Sequence, residues 1–388
     1  MFFLAPFRGD VPKGQRGKRD RGVLALRRYA VRVAKYDLGL PLLAALLLAM
    51  GLIVISSVAH SPDLAGQGIF QKQLLGVLIA AVPVALILWA GRGRIFAFAP
   101  YLYGLSLLLL AATFVVGKDV NGQRNWLEVG PLQFQPLELA KLSLILLLPL
   151  VMRGGYRGVR SYLVPLALFL PVLALVVKED FGGGMVLAGM LACMFVAWRV
   201  PLWHLLAALV AVAVLFPTVV YPHLKPYQQK RLTIFLNPAS DPSRSGYQQL
   251  QSTIAIGSGG MMGKGYGHGT QTHNGFVFSQ HSDFVAASWA EEQGFVGAVA
   301  LLLVYGALFW KLAGMASDAP RLEDQLLLAG VLGQLGVQTV ENIGAALSML
   351  PLTGITLPLV SYGLSSLVSV LTTLGAAYVV YRDRFDRI

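Results

Sequence analysis

Hydrophobic and polar positions in this chain do not alternate on the scale of a strand or a surface helix. They fall into long blocks. Apolar runs recur at 39–58, 71–91, 95–117, 136–152, 161–178, 181–199, 202–222, 284–310, 325–350 and 364–381. At 1.5 Å per residue, a helix of about 20 residues crosses about 30 Å of hydrocarbon. Backbone polar groups in lipid must be satisfied internally, and helices do this within one segment. The pattern therefore predicts an all-α polytopic membrane protein with about ten transmembrane helices. One sizeable hydrophilic block interrupts it, at 225–294 between the seventh and eighth spans, and reads as a large extracellular loop. Residues 1–36 form a separate basic segment ahead of a membrane domain at 37–388.

Composition agrees: the chain is 56% hydrophobic and 13% charged, with a mean hydropathy of +0.64, which excludes an ordinary soluble domain. A single cysteine, Cys193, rules out a disulfide framework within the chain. The net charge is +12, which in a membrane protein reports cytoplasmic loops and anionic lipids rather than nucleic acid. The sequence shows no Cys/His cluster with metal-ligand spacing and no phosphate loop of the G-x-x-x-x-G-K-[ST] kind.

Basic residues also set the orientation. Residues 1–36 hold ten Lys/Arg against Asp10 and Asp20, and Val23 to Val33 has the spacing of an interfacial basic helix; a plain retention cluster fits equally well. With that segment inside, Arg92, Arg94, Arg153, Arg157, Arg160, Arg199, Lys311, Arg321, Arg382, Arg384 and Arg387 also fall inside. This predicts a plasma-membrane protein with both termini cytoplasmic and the 225–294 block outside. No internal or inverted repeat is visible, which weakens a transporter reading.

The unusual polar residues all fall on the outer side. Asp283, in Ser279-Gln280-His281-Ser282-Asp283-Phe284, stands where the polar block turns apolar again. It reads either as a helix N-cap or as a functional carboxylate. Span four opens Gln135-Pro136-Leu137-Glu138-Leu139-Ala140-Lys141, with Glu138 and Lys141 three apart on one face. That pair is an internal ion pair, a cationic cavity lining, or both. Lys118, Arg124 and Trp126 precede it around an Asn121-Gly122 turn, and Arg124 is either a solvated belt residue or a phosphate ligand. Lys178-Glu179-Asp180 marks a tight turn between spans five and six. Gly184, Ala188 and Ala192 form a small-residue ridge on span six. Gln228 to Leu236 has the pattern of a short amphipathic helix, with Lys230 and Arg231 facing water or phosphate. The glycine-rich 257–271 stretch permits close approach to a ligand, an unusual path, or a flexible linker. Pro351, Gly354 and Pro358 predict a broken segment between the last two spans.

These residues resemble the SEDS family of bacterial shape, elongation, division and sporulation proteins. Asn121-Gly122 with Arg124 and Trp126 is similar to the family's NG-x-RW element, and Gln135-Pro136-Leu137-Glu138 with Lys141 to its QPSE…K element, Leu137 replacing Ser. His281-Ser282-Asp283-Phe284 with Glu291-Glu292 resembles HTDF…EE. Pro351 to Ser366 resembles PxTGxPLPxxSYGGSS, with Thr356 and Leu364 as departures and Ser361 and Tyr362 as matches. Lys178 and Glu179 depart from the family's turn, while Asp180 and Gly182 match. The resemblance runs from the first span to the C-terminus, and the Gly-Thr-Gln ending of the glycine-rich stretch is closer to elongation-type than to division-type members.

The resemblance implies a peptidoglycan glycosyltransferase that polymerises lipid II at the outer membrane face. It implies a class B penicillin-binding protein as transpeptidase partner, contacted through membrane helices. It makes Asp283 the catalytic residue, with Glu138, Lys141, Lys118, Arg124, Trp126, Asp180, His281, Glu292, Ser361 and Tyr362 binding substrate. The chemistry fits: the acceptor hydroxyl must lose a proton to a base, and cations must stabilise a departing diphosphate. A divalent cation would assist, but the sequence offers no dedicated site. A flippase for a lipid-linked precursor, a division-type polymerase and a non-catalytic scaffold are the alternatives.

Overall fold

The computed structural model describes residues 37–385 apart from 63, 121–122, 131, 238–240 and 242–244. The basic segment 1–36 with its expected helix, and the Asn121-Gly122 turn, lie outside the described residues. Helix α1 spans Gly39–Val58 and α2 spans Ile69–Val116. Strands β1 (Lys118–Val120), β2 (Gln123–Val129) and β3 (Leu132–Phe134) follow, then α3 (Pro136–Met152), α4 (Leu163–Glu179), α5 (Phe181–Ala197) and α6 (Leu202–Leu215). The polar block folds as α7 (Pro226–Leu236), α8 (Ser245–Ser258) and the single turn α9 (Thr270–His273). Helices α10 (Val285–Asp318), α11 (Leu322–Ala346) and α12 (Leu364–Arg382) complete the bundle.

Among the described residues, seven helical segments are long and apolar enough to cross a membrane, against the ten expected. The difference has a physical origin. Helix α2 counts once, yet its 48 residues would span about 72 Å, more than twice the hydrocarbon thickness. It breaks at Gly91, whose φ of 72° is one that a residue with a side chain rarely adopts. Helix α5 is apolar but only 17 residues long, and α3, also 17, carries Glu138 and Lys141 near its start. Large apolar side chains such as Leu78, Trp89, Leu202, Leu206 and Leu303 point outward, the inverse of a soluble protein and what lipid contact requires.

The molecule is predominantly helical, with one small sheet between α2 and α3. Residues 118–134, expected as a loop, form a three-stranded antiparallel meander in the order β1-β2-β3. Lys118 pairs with Trp126, Leu127 with Phe134 and Glu128 with Gln133. Strands this short leave too weak a periodicity to register beside 20-residue apolar blocks.

Small residues allow a close helix contact between α5 and α11, but not along the ridge expected. Gly184 packs against Val177 of α4. The close face toward α11 instead runs through Gly189, where a Cβ would come within 2.3 Å of Val337, and Cys193, which sits against Gly333. The glycine-rich stretch follows an unusual path rather than forming a linker. It lies along α10 where that helix breaks at Gly294 (φ 67°). Lys264 N–H donates to the Glu291 carbonyl at 3.0 Å, Gly265 N–H to the Glu292 carbonyl at 2.9 Å, and Phe295 N–H to the Gly260 carbonyl at 2.8 Å. A Cβ on Gly263 would lie 2.0 Å from the Glu292 carbonyl oxygen, so only glycine permits this backbone-to-backbone contact.

Candidate functional site

The starts of α3, α5 and α12 and the end of α11 meet at one end of the bundle, beneath the sheet and the polar block. Helix α11 stops at Ala346, and the chain crosses to α12 without helix, as the glycine and prolines predicted; Gly354 and Leu359 have φ of 83° and 67°. The hydrogen bonds that the 347–363 segment lacks internally come from neighbours. Asn342 of α11 donates from Nδ2 to the carbonyls of Asp283 (2.9 Å) and Ile355 (2.8 Å), tying three segments at one point. Ser361 Oγ donates to the Ser282 carbonyl at 2.6 Å and accepts from Leu357 N–H at 2.9 Å.

These ties leave a polar cavity of ≈ 220 Å³ whose walls include Trp126, Glu138, Lys141, Asp180, Arg231 and Asp283. It adjoins a groove of ≈ 800 Å³ that shares Trp126, Ser282 and Asp283 and adds His281 and Tyr362. On its other side Glu138 also borders a groove of ≈ 410 Å³ whose walls are nearly all carbon, among them Pro83, Leu139, Leu142 and Val368.

Pro136 occupies the first turn of α3, where its missing N–H costs nothing. One turn on, Lys141 Nζ donates to Glu138 Oε1 at 2.7 Å, with both side chains buried. Glu138 Oε2 has no partner among the described residues. The pair is therefore at once an internal ion pair and a cavity lining. Asp180 caps α5, its Oδ1 accepting from Gly183 N–H at 2.8 Å. Burial pushes its carboxyl up, and the Gly183 N–H, Lys141 and Arg231 pull it back.

Asp283 is not a helix cap. The N-cap of α10 is Phe284, and no side-chain hydrogen bond closes that end. The carboxylate faces the cavity instead: a Cβ built on Gly354 would lie 3.9 Å from Asp283 Oδ2 and 4.0 Å from Arg231 Nη1. Carboxylate and guanidinium thus look at each other across a glycine. Burial raises the Asp283 carboxyl above the usual range, opposed by Arg231 and the Ser282 hydroxyl. Arg231 is held by donation from Nη1 to the Thr353 carbonyl at 2.8 Å and by the Tyr227 ring, 5.6 Å from its guanidinium carbon.

His281 and Tyr362 line the groove rather than the cavity, with ring centroids 5.4 Å apart. Burial lowers the His281 imidazole and raises the Tyr362 phenol. The remaining expected ligands are placed elsewhere. Ser361 is buried and spends its hydroxyl on the ties above. Lys118 pairs with Glu128 at 2.5 Å on the exposed sheet, and Arg124, also exposed, lines neither space. Glu292 is buried away from the cavity, accepting from the Ser57 hydroxyl and, at 3.4 Å, from Gly267 N–H. It fastens the glycine-rich stretch, because α10 carries it past the cavity on the opposite face.

Sequence reasoning named Arg231 only as facing water or phosphate and missed Gln338, which also lines the cavity. It gave Glu179 no role. That residue is buried, pairs with Lys225 at 2.6 Å, and accepts Arg124 N–H at 3.1 Å, so it anchors both α7 and the sheet over the cavity. Among the described residues no group of three His, Cys, Asp or Glu is placed to hold a metal ion.

Comparison with known proteins gives a consistent picture. Residues 38–384 match the family model for FtsW, RodA and SpoVE, described as "Cell cycle protein". The chain is 33% identical over 349 residues to peptidoglycan glycosyltransferase MrdB of Escherichia coli K12, covering 87% of this chain and 93% of that one. It is 36% identical to the probable peptidoglycan glycosyltransferase FtsW of Nitrosococcus halophilus, covering 83% and 84%. Among solved structures, a chain described under "Structural coordination of polymerization and crosslinking by a peptidoglycan synthase complex" superposes with a TM-score of 0.78 at 40% identity, covering 91% of this chain and 99% of that one. The rod shape determining protein RodA of Thermus thermophilus superposes at 0.69 with 37% identity, covering 91% and 98%. With its family match running almost from first span to last, the chain belongs to the FtsW/RodA/SpoVE family of cell cycle proteins, the SEDS family, and is an integral membrane protein.

Proposed function

We propose that this chain is a peptidoglycan glycosyltransferase of cell elongation, polymerising lipid II at the outer face of the plasma membrane with Asp283 as general base. The observation that carries this reading is the meeting of three spaces at one carboxylate pair. A small polar cavity holds Asp283, Lys141 and Arg231, a wide groove of mixed polar and apolar lining shares Asp283, and an apolar groove shares Glu138. A sugar on a lipid diphosphate has this mixed character: a hydrocarbon tail, a doubly charged linker and a large hydrophilic head.

Asp283 accepts the proton of the acceptor hydroxyl as its oxygen bonds to the anomeric carbon of the donor. The bond from that carbon to the phosphate oxygen breaks, and the lipid diphosphate leaves with the electron pair. Lys141 and Arg231 stabilise the charge that accumulates there. The pair Glu138–Lys141 keeps its cation in place without consuming all of it, and Trp126, Asp180, His281 and Tyr362 shape the walls.

The same reading sets the topology: about ten crossings, both termini cytoplasmic, and residues 225–294 outside. A class B penicillin-binding protein cross-links the product, and the peptidoglycan synthase complex among the structural matches supports that partnership. The elongation role rests on the RodA match, though relatives named FtsW are of similar identity. A flippase is favoured by no specific observation. The test is the purified chain in liposomes with lipid-linked disaccharide-pentapeptide. Glycan polymer is the expected product; translocation of the precursor without polymer would overturn the reading.

A further inference from the structure

Each long element that reaches the candidate cavity with one end has another end, and these gather at the far side of the bundle. There the end of α3, the start of α11, the residues after α12 and the break in α2 enclose a hollow of ≈ 750 Å³. Its charged lining is Arg92, Arg94, Arg153, Arg321, Glu323 and Asp383. The carboxylates are already engaged. Arg92 donates from Nη2 to Glu323 at 2.6 Å and from Nε to buried Asp324 at 2.7 Å. Asp383 pairs with Arg382 at 2.7 Å and accepts the Arg92 N–H that the break at Gly91 releases, at 3.1 Å. Arg94 and Arg153 are exposed, and among the described residues neither has a carboxylate within ion-pair distance. Two arginines without counter-ions thus face one concavity whose negative charge is spent.

Arginine offers a planar donor fork that matches phosphate oxygens. The surroundings select among phosphates. Arg94 stands over the Trp89 ring, 5.1 Å from its centroid, and that ring is 75% exposed. Leu86 and Phe98, one on each side of the break in α2, are also more than half exposed. An exposed Trp flanked by apolar side chains and arginines marks the level of lipid headgroups. Basic pockets between helix ends at that level suit anionic headgroups.

We propose that this hollow binds the phosphate of an anionic phospholipid headgroup, held by Arg94 and Arg153, at the end of the bundle opposite the candidate site. The bound lipid bridges the break in α2 to the end of α3 and so braces two helices whose other ends reach the cavity region.

The full chain is reconstituted in nanodiscs of phosphatidylcholine with increasing phosphatidylglycerol or cardiolipin. Lipid retained after exchange into detergent is counted by native mass spectrometry. A second arm adds inorganic phosphate to phosphatidylcholine discs and follows thermal unfolding. The wild type retains anionic lipid in preference to phosphatidylcholine, and Arg94→Gln/Arg153→Gln reduces that preference about tenfold. The double variant Arg94→Lys/Arg153→Lys keeps its charge and regains part of it. Unfolding in phosphatidylcholine discs shows that all variants are folded. Equal retention in wild type and the Gln variant overturns the proposal, and so does stabilisation by inorganic phosphate equal to that by anionic lipid, which would make the ligand a free anion.

Discussion

Two carboxylates of one sequence element, Asp283 and Glu291, do opposite things with their hydrogen bonds. Glu291 is saturated. Its Oε1 accepts from Lys264 Nζ at 2.6 Å and Gln271 N–H at 2.7 Å, and its Oε2 from the Thr272 N–H and hydroxyl, both at 2.9 Å. Eight residues earlier, Asp283 caps nothing and looks across Gly354 at Arg231, while Glu138 leaves one oxygen without a partner. A buried polar atom without a partner costs about 1–3 kcal/mol, so it persists where something else requires it. Saturation marks a carboxylate that holds the fold; the open oxygen of Glu138 and the cavity-facing carboxylate of Asp283 support the substrate role proposed for them. The sequence element that joins Asp283 to Glu291-Glu292 reads as one motif, yet it divides between these two tasks.

The sharpest way to break this comparison is to remove a charge on each side of it. Lys141→Met takes away the cation that the proposed reaction sets against the leaving diphosphate, and polymerisation should fall by about 10²–10³-fold. It also leaves Glu138 buried without its partner, so stability drops as well. Adding Glu138→Gln separates the effects: thermal unfolding of the double variant returns toward wild type while its polymer yield stays low. Full recovery of activity in the double variant would reduce the pair to packing. Glu291→Gln should behave the other way. It disrupts a saturated clamp, costing roughly 2 kcal/mol, and polymer output should fall only in proportion to folded protein, as read from unfolding curves beside initial rates. A smaller effect comes from Arg231→Gln. Arg231 pulls the Asp283 carboxyl down, so its loss lets burial raise that group further. A base works only when deprotonated, so the acid limb of the pH–rate profile should move to higher pH. An unmoved limb would separate Arg231 from Asp283.

Much of this was legible from sequence because lipid imposes a strong signal: an apolar block near 20 residues is hard to mistake, and a charge at its border stands out. Asp283, Glu138, Lys141, Asp180 and Trp126 were singled out in this way or through the family motifs, and they line one cavity. The sheet was missed because its edge strands are three residues long. Arg231 was underrated because its partner, the Thr353 carbonyl, lies 122 residues away, and no local pattern encodes that approach. The glycine-rich stretch allowed three readings, since the same φ freedom serves a ligand, a linker or a close backbone contact; only the position of Gly263 against the Glu292 carbonyl decides. Glu292 and Ser361 were expected at the substrate because a motif records that residues occur together, not which way each side chain turns.

In the proposed reaction Asp283 removes the acceptor proton, a step that one substitution isolates. Asp283→Asn preserves size and shape but cannot take a proton at the reaction's pH. The initial rate of glycan polymerisation per folded molecule should be measured for this variant and the wild type in liposomes containing the transpeptidase partner. A loss of about 10²-fold or more is expected, the usual scale for general-base assistance, with thermal unfolding and partner co-purification unchanged. A rate within a few-fold of wild type would contradict it and remove Asp283 from the chemistry.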